Sequence, residues 1–467
     1  MNDDLDPDLR QRLVAAAGRA NVLTDPGQRQ AVASDGLRPG RAALVEGLTA
    51  ARPLAVVRPA STEEVVAVLR AAADCGTPLV PYGGGTGLMG GARTVGPGIV
   101  LDLRRMNRVL EVAVADRTAR VQAGIVFADL NMALAPHGLV CGHDPWTVPI
   151  ATVGGAISTN GLGYLGGRYG SIGDQVLGLE VVLADATVVR TRAAERTSTG
   201  PQLRRLWTGA EGTLGVITEV TLRVFPLPEA RRLHAFTFPG FADGFAAVCD
   251  MAAIGLRPAL IDYGGPPDRG EPARMYLGFE GYAEEVEAAA GRALTLCLRR
   301  EATAAGEAAA WSFFEERHVD PSRLRHWRSG EQVEPQPGTP GSAVFDYLHL
   351  YLPQSRVLTF LAEATARFED AGAEVAEWGL WNQPELVSLA VRRRTDTPQA
   401  LARMRAAHDA TLMLAQDLGG SMEYVHGVGA RLAHLMAREH GSGLEVLRRI
   451  KRALDPVNLL NPGKLAL

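Results

Sequence analysis

The run Gly83-Gly-Gly-Thr-Gly87 stands just after the apolar stretch Leu79-Val80. Without side chains in the way, consecutive amides there can converge on one target and form an anion-binding nest. Gly85-Thr-Gly-Leu-Met-Gly90 also spells G-x-G-x-x-G. The residues after it read as a strand, however, and a dinucleotide fingerprint needs a helix N-terminus beneath the pyrophosphate. The Walker A pattern fails too, because no Lys-Ser/Thr pair closes the loop. A second glycine-rich run extends from Gly154 to Gly173. One such loop reads as a tight turn; two in consecutive units point to a ligand held by backbone. Near the C-terminus, His426-Gly-Val-Gly429 puts an imidazole in a glycine-flanked turn. Imidazole is well suited to take up a proton near neutral pH.

Four longer segments occur in order. They are Val80-Pro-Tyr-Gly-Gly-Gly-Thr-Gly-Leu-Met-Gly-Gly91, Ala151-Thr-Val-Gly-Gly-Ala-Ile-Ser-Thr-Asn160, Arg168-Tyr-Gly-Ser-Ile-Gly-Asp-Gln-Val-Leu-Gly-Leu-Glu180 and Glu211-Gly-Thr-Leu-Gly-Val-Ile-Thr218. The C-terminal end carries Leu454-Asp-Pro-Val-Asn-Leu-Leu-Asn-Pro-Gly-Lys464. Together these resemble the vanillyl-alcohol oxidase/p-cresol methylhydroxylase superfamily. The nearest branch in pattern holds glycolate oxidase D-subunits, D-lactate dehydrogenases and alkyldihydroxyacetonephosphate synthase. The resemblance is strong over 52–228 and 419–467 and general over 230–415. It implies an α+β fold: a two-subdomain PCMH-type FAD-binding domain plus a cap domain with an antiparallel sheet flanked by helices. The implied division is an N-terminal helical segment 1–51, the FAD domain 52–228, the substrate cap 229–418, and a segment 419–467 that returns to the flavin.

By the same resemblance, Tyr82, Gly83, Gly84, Gly85, Thr86 and Gly87 cradle the FAD pyrophosphate. Pro145, Thr147, Thr152, Gly154, Gly155, Ser158, Thr159 and Asn160 line the rest of the cofactor. Glu211, Gly212 and Ile217 approach its adenine side, and Asn461 its isoalloxazine. A desolvated pyrophosphate needs many amide donors, which glycine loops supply. Related branches attach the flavin through a His in the first loop, where this chain has Gly85-Thr86. The sequence around Cys141 does not match the branch that uses a cysteine link. FAD is therefore expected to be held non-covalently.

Zinc-dependent D-2-hydroxy-acid dehydrogenases of the family carry G-H-x-G-D-G-N-x-H in the cap, matched here by Trp378-Gly-Leu-Trp-Asn-Gln-Pro-Glu-Leu-Val387. Leu380 and Val387 stand at the two histidine positions, and Val425 replaces the Glu before His-Gly. None of the three can ligate a metal, so no zinc is expected. The ether-lipid branch needs a Tyr after Asn382, where Gln383 stands, and three histidines, of which His426 alone remains. The expected activity is FAD-dependent oxidation of an alcohol or 2-hydroxy acid by hydride transfer to flavin N5, with His426 as base. Two alternatives stay open: flavin chemistry without net oxidation, and an inert flavin-binding subunit.

Trp378 and Trp381 in the cap loop, with Arg392 as an anchor, suggest a small-molecule substrate more apolar and larger than lactate. Trp311 and Trp327 precede the cap strands, and Arg317, Arg325 and Arg328 are further guanidinium candidates. His349, Asp346, Glu377 and Tyr351 fall on cap strands whose facing the sequence leaves open. The electron acceptor is open among oxygen, a quinone and a protein, and a homodimer is compatible with the chain.

The elements that must hold these residues read as alternating α and β. Ser61-Thr-Glu-Glu64 is a capping box that opens a helix over 62–74, closed by Gly76. Strands are expected over 54–57, 79–80 and 99–103, then 108–114 paired with 119–123, and 179–183, 188–189 and 215–224. A helix over 127–135 lies between. Beyond Pro228 the expected strands are 274–279, 344–352, 375–380 and 386–393. Helices are expected over 283–299, 356–371 and 398–418, with a polar loop over 328–341.

Composition excludes several classes. The 467 residues need more than one core, and 46% hydrophobic content with 21% charged is not that of a disordered chain. A net charge of −4 leaves no footprint for nucleic acid, and only Lys451 and Lys464 are lysines. No apolar run approaches the roughly 18 residues of a membrane span. Met1 to Arg10 is acidic and polar, unlike a secretory signal, so the cytoplasm is the expected compartment. Cys75, Cys141, Cys249 and Cys297 lie far apart without a C-x-x-C pair, against both a disulfide framework and a zinc ribbon.

Overall fold

The computed structural model describes residues 5–467 except 49, 268–269, 321, 323–340 and 396. Helix α1 (Pro7–Ala17) starts at Asp6, whose carboxylate accepts from the amides of Asp8 and Leu9, with Pro7 in the first turn. Its Leu9, Leu13 and Ala17 are buried against α2 (Thr62–Asp74). At the head of α2, Ser61 accepts from the Glu64 amide, but the Glu64 carboxylate reaches the amide of Ala60 rather than that of Ser61. The expected capping box is thus half closed by a neighbour. These helices cover a small sheet in the order β1 (Val22–Leu23), β2 (Ala55–Val57), β4 (Ile99–Asp102), β3 (Leu79–Tyr82). The last three strands run parallel.

A second, antiparallel sheet has the order β5 (Val109–Ala113), β6 (Thr118–Gln122), β9 (Val216–Arg223), β7 (Val176–Val182), β8 (Val188–Arg190). Helices α3 (Phe127–Leu134) and α4 (Val153–Thr159) pack on it, around a core that includes Phe127, Leu130, Val181 and Val220.

The third sheet is antiparallel, in the order β13 (Thr303–Ala304), β10 (Ala230–Phe238), β12 (Ala273–Gly281), β11 (Leu260–Gly265), β15 (Glu374–Trp381), β16 (Leu386–Arg394), β14 (Ala343–Tyr351). Helices α5 (Phe241–Ala253), α6 (Ala283–Arg299), α8 (Val357–Asp370) and α9 (Pro398–Asp417) flank it, while α7 (Glu307–Glu316) lies against β10 and β12. The sequence reading omits β10, α5 and β11. Leu260-Ile-Asp-Tyr-Gly-Gly265 carries two glycines, which lower strand propensity. Gly264 leaves room for the Glu377 side chain, whose carboxylate a Cβ there would approach to 2.4 Å.

Alternation along this sheet decides what meets the ligand. Leu348, Leu350, Leu380, Val387 and Leu389 enter the core on the helix-covered face. His349 and Trp381 face the other way. The C-terminal segment returns to the first sheet, where Leu79 donates to Leu459 O and accepts from the Asn461 amide, both at 2.8 Å. Among the described residues no helix is long and apolar enough to cross a membrane.

Candidate active site

A cavity of about 260 Å³ lies where the two glycine-rich segments meet the third sheet. The first loop rests directly on the second. A Cβ on Gly83 would lie 2.2 Å from the Thr152 hydroxyl, and one on Gly84 would lie 2.5 Å from the Ile150 carbonyl. Part of the glycine density therefore serves loop-on-loop packing rather than ligand approach. Gly85, at φ 62°, turns the chain so that the loop curls over the cavity. Thr152 caps α4, and its hydroxyl also accepts from the Gly84 amide at 3.3 Å, tying the two loops together.

The amides of Gly85, Thr86 and Gly87 make no hydrogen bond to another described residue. They are therefore available to an anion. Buried polar atoms on the cavity wall also lack partners: His143 Nδ1, Glu211 Oε2, Asn382 Oδ1 and the Tyr424 hydroxyl. Unpaired buried polar atoms are costly, so a wall that carries several of them is built for a polar occupant. These features fit the flavin dinucleotide that the sequence implies. Pro145, Thr147, Gly154, Gly155, Ser158 and Thr159 line the same cavity, as do Tyr82, Gly212 and Ile217.

Two carboxylates also border it. Glu211 accepts from the amides of Val428 and Gly429 at 2.7 and 3.0 Å, and burial pushes its pKa up to about 7. Asp35 accepts from Leu37 and Ala92, and burial raises it as well. Lys464 is close enough to act on both, and burial pulls its pKa down to about 8.

On the third-sheet side the wall is aromatic and carries two imidazoles. The rings of His349 and His426 meet edge to face with centroids 4.6 Å apart. His349 is 8% exposed, and burial together with His426 pulls its pKa down to about 3, so it is neutral in working conditions. Trp381 stands 6.1 Å from His349 and donates to the Ser388 hydroxyl at 3.3 Å. Tyr424 lies 5.7 Å from His349 on the other side. Behind this wall the Tyr347 hydroxyl donates to Glu377 at 3.1 Å.

Four expected site residues are not brought to the cavity. Trp378 lies on the helix-covered face, edge-on to Phe241 and donating to Thr365 at 2.9 Å. Arg392 is exposed, pairs with Glu374 at 2.7 Å and lies outside the cavity lining. The Asn160 carboxamide accepts from the Gly173 amide at 3.2 Å, outside the lining. Asn461 donates to the carbonyls of Gly91 and Glu211 and so braces the cavity wall from behind. Arg317 pairs with Asp144 at 2.8 Å, and Trp311 packs on Phe314. Asp346 is buried on the far face among Arg41, Arg431 and His408, while the Tyr351 side chain is exposed. Trp327, Arg325 and Arg328 lie outside the described residues. Leu380 and Val387 pair across β15 and β16 within the apolar core, and no group of three metal-ligating side chains occurs among the described residues.

The sequence reading misses Asp35, His143, Trp146, Tyr164 and Tyr424 as lining residues. His143 and Trp146 lie within two residues of Pro145, and Tyr424 comes two residues before His426, so nearness to a motif was the available signal. Tyr164 follows the Asn160 turn, and its ring lies 5.4 Å from that of Trp381 at a tilt of 35°. Nothing local marks Asp35, which a long return of the chain delivers.

A family model described as an FAD binding domain matches residues 53–192, and one described as the C-terminal domain of FAD linked oxidases matches 262–465. Glycolate oxidase subunit GlcD of Bacillus subtilis is 28% identical over 432 residues, 88% of this chain and 89% of that protein. D-lactate dehydrogenase of Archaeoglobus fulgidus is 30% identical over 440 residues, 89% of this chain and 92% of that protein. A solved alkyldihydroxyacetonephosphate synthase shares the fold, with a TM-score of 0.79 at 21% identity over 98% of this chain and 86% of that one.

Proposed function

The chain belongs to the FAD-linked oxidoreductases of the vanillyl-alcohol oxidase/p-cresol methylhydroxylase superfamily, and from that premise we propose that it oxidises a hydroxyl-bearing organic substrate larger than lactate, without a metal. Bound FAD supplies a two-electron acceptor, at N5 of its ring, for the hydride that leaves the carbinol carbon. The loop over 82–87 and the α4 end of the second loop hold the dinucleotide, and residues 229–418 supply the substrate wall. His426 takes the hydroxyl proton, as a positioned imidazole does in general base catalysis. Neutral His349 is a hydrogen-bond partner for the same hydroxyl, and Trp381 with Tyr164 forms the apolar side.

One observation carries this reading: His426, His349 and Trp381 line the same cavity as the two glycine-rich segments. A second bears on the substrate. Among the described residues no Arg or Lys lines the cavity, and a small hydroxy acid needs a cation for its carboxylate. The nearby guanidinium groups are engaged elsewhere, Arg317 with Asp144, and Arg41 and Arg431 with Asp346. On that ground the reading departs from the relatives named for glycolate and D-lactate. Anaerobic mixing of the holoenzyme with candidate alcohols tests it through bleaching of the flavin absorbance.

A further inference from the structure

Val425 occupies the position before His-Gly at which the family's zinc enzymes carry a Glu. A carboxylate reaches His426 all the same, from two residues further upstream. Glu423 curls back under its own turn, and its Oε1 accepts from the amides of Tyr424, Val425 and His426 at 3.0, 2.8 and 3.0 Å. Three converging amides fix the carboxylate without help from another element. Its Oε2 is left 3.7 Å from His426 Nδ1, and the Glu423 side chain is only 5% exposed.

We infer that Glu423 is a positioning residue that makes His426, rather than the adjacent His349, the group that carries the substrate proton. This rests on the oxidase reading above. Nδ1 of His426 is buried and turned to the carboxylate, so Nε2 is the nitrogen presented to the cavity. In the step concerned the substrate O–H bond breaks, an N–H bond forms at Nε2, and the resulting imidazolium faces the Glu423 charge at short range. Attraction between unit charges a few ångströms apart in a buried setting favours that product. The titratable groups around His426 are His349 from β14, Glu423 of its own turn, and Glu211, which binds the amides of Val428 and Gly429 just beyond it; Glu423 and Arg41 also act on His349, in opposite directions. Burial opposes ionisation of Glu423, yet the neighbouring imidazole keeps the carboxylate below its usual range. Glu423 itself is absent from the cavity wall, so it acts through His426.

Glu423→Gln tests this, because it keeps the amide-accepting oxygen and removes only the charge. Two measurements on the holoenzyme separate the inference from the reading it rests on. With ¹⁵N-histidine labelling and His426→Ala as the assignment control, the His426 titration should move to lower pH by about one pH unit in Glu423→Gln. In anaerobic stopped flow, flavin reduction should slow by about 10- to 100-fold with substrate affinity and FAD content unchanged. Glu423→Asp keeps the charge and should recover part of the rate. An unmoved His426 titration overturns the inference whether or not a substrate is found. An unchanged reduction rate beside a reducible wild type overturns it as well. A wild type that no alcohol reduces, with the titration shifted as stated, counts instead against the oxidase reading.

Discussion

Tyr164 of the second glycine-rich segment and Trp381 of the third sheet lie with ring centroids 5.4 Å apart and planes tilted by 35°. They join the two halves of the cavity through an apolar contact, next to the imidazoles. Aromatic rings in contact add to the stabilisation from area burial and make a rigid apolar wall. Trp381→Ala should therefore lower kcat/KM for bulky aromatic or alkyl alcohols by about 10- to 100-fold. FAD content should stay the same. An equal loss for bulky and small alcohols would remove Trp381 from the substrate wall.

Acid precipitation of the purified protein should release FAD into the supernatant. Cys141 is buried outside the cavity lining, its thiol sits 3.8 Å from the Gln175 side-chain Oε1, and burial pushes its pKa up to about 12. A buried, protonated thiol is a poor nucleophile. Yellow colour retained in the pellet contradicts the non-covalent assignment.

Much of the cofactor side was legible in the sequence because backbone chemistry is local. Glycine runs, the Ser61 cap and the C-terminal Asn-Pro-Gly each declare themselves within a few residues. The substrate side was not, because it depends on which face a strand presents. A bulge between Val375 and Glu377 resets the alternation of β15. Trp378 thereby joins the core, while Trp381, three residues on, joins the wall. Arg392 is drawn to Glu374 across β15 and β16, a pairing visible only in the register. The role of Glu423 was hidden for a related reason: its carboxylate folds back along the chain, so motif alignment marked the wrong position.

Metal analysis should find no stoichiometric zinc, and chelators should leave activity unchanged. Leu380 and Val387 lie deep in an apolar core and offer no ligand atom. One zinc bound per chain contradicts this.

Affinity of the apoprotein for FAD should weaken as pH rises through about 7. Burial already holds Glu211 near that value, and a bound anionic cofactor that expels water raises it further. Binding then takes up a proton, so the complex is favoured while Glu211 is protonated and loses affinity as it ionises, by at most about tenfold per pH unit. Glu211→Gln should flatten the dependence. Fluorescence-quenching titrations at pH 6 and 8 check both, and parallel pH profiles for wild type and Glu211→Gln would exclude Glu211 as the cause.

The most direct measurement is anaerobic stopped-flow reduction of the flavin in wild type and His426→Ala, across alcohols of increasing size and D-lactate. Bleaching should be faster with bulky aromatic or alkyl alcohols than with D-lactate or glycolate. His426→Ala should slow it by roughly 10²- to 10⁴-fold while FAD still binds. Fast reduction by D-lactate with no response to any larger alcohol, or an unchanged rate in His426→Ala, would contradict the account.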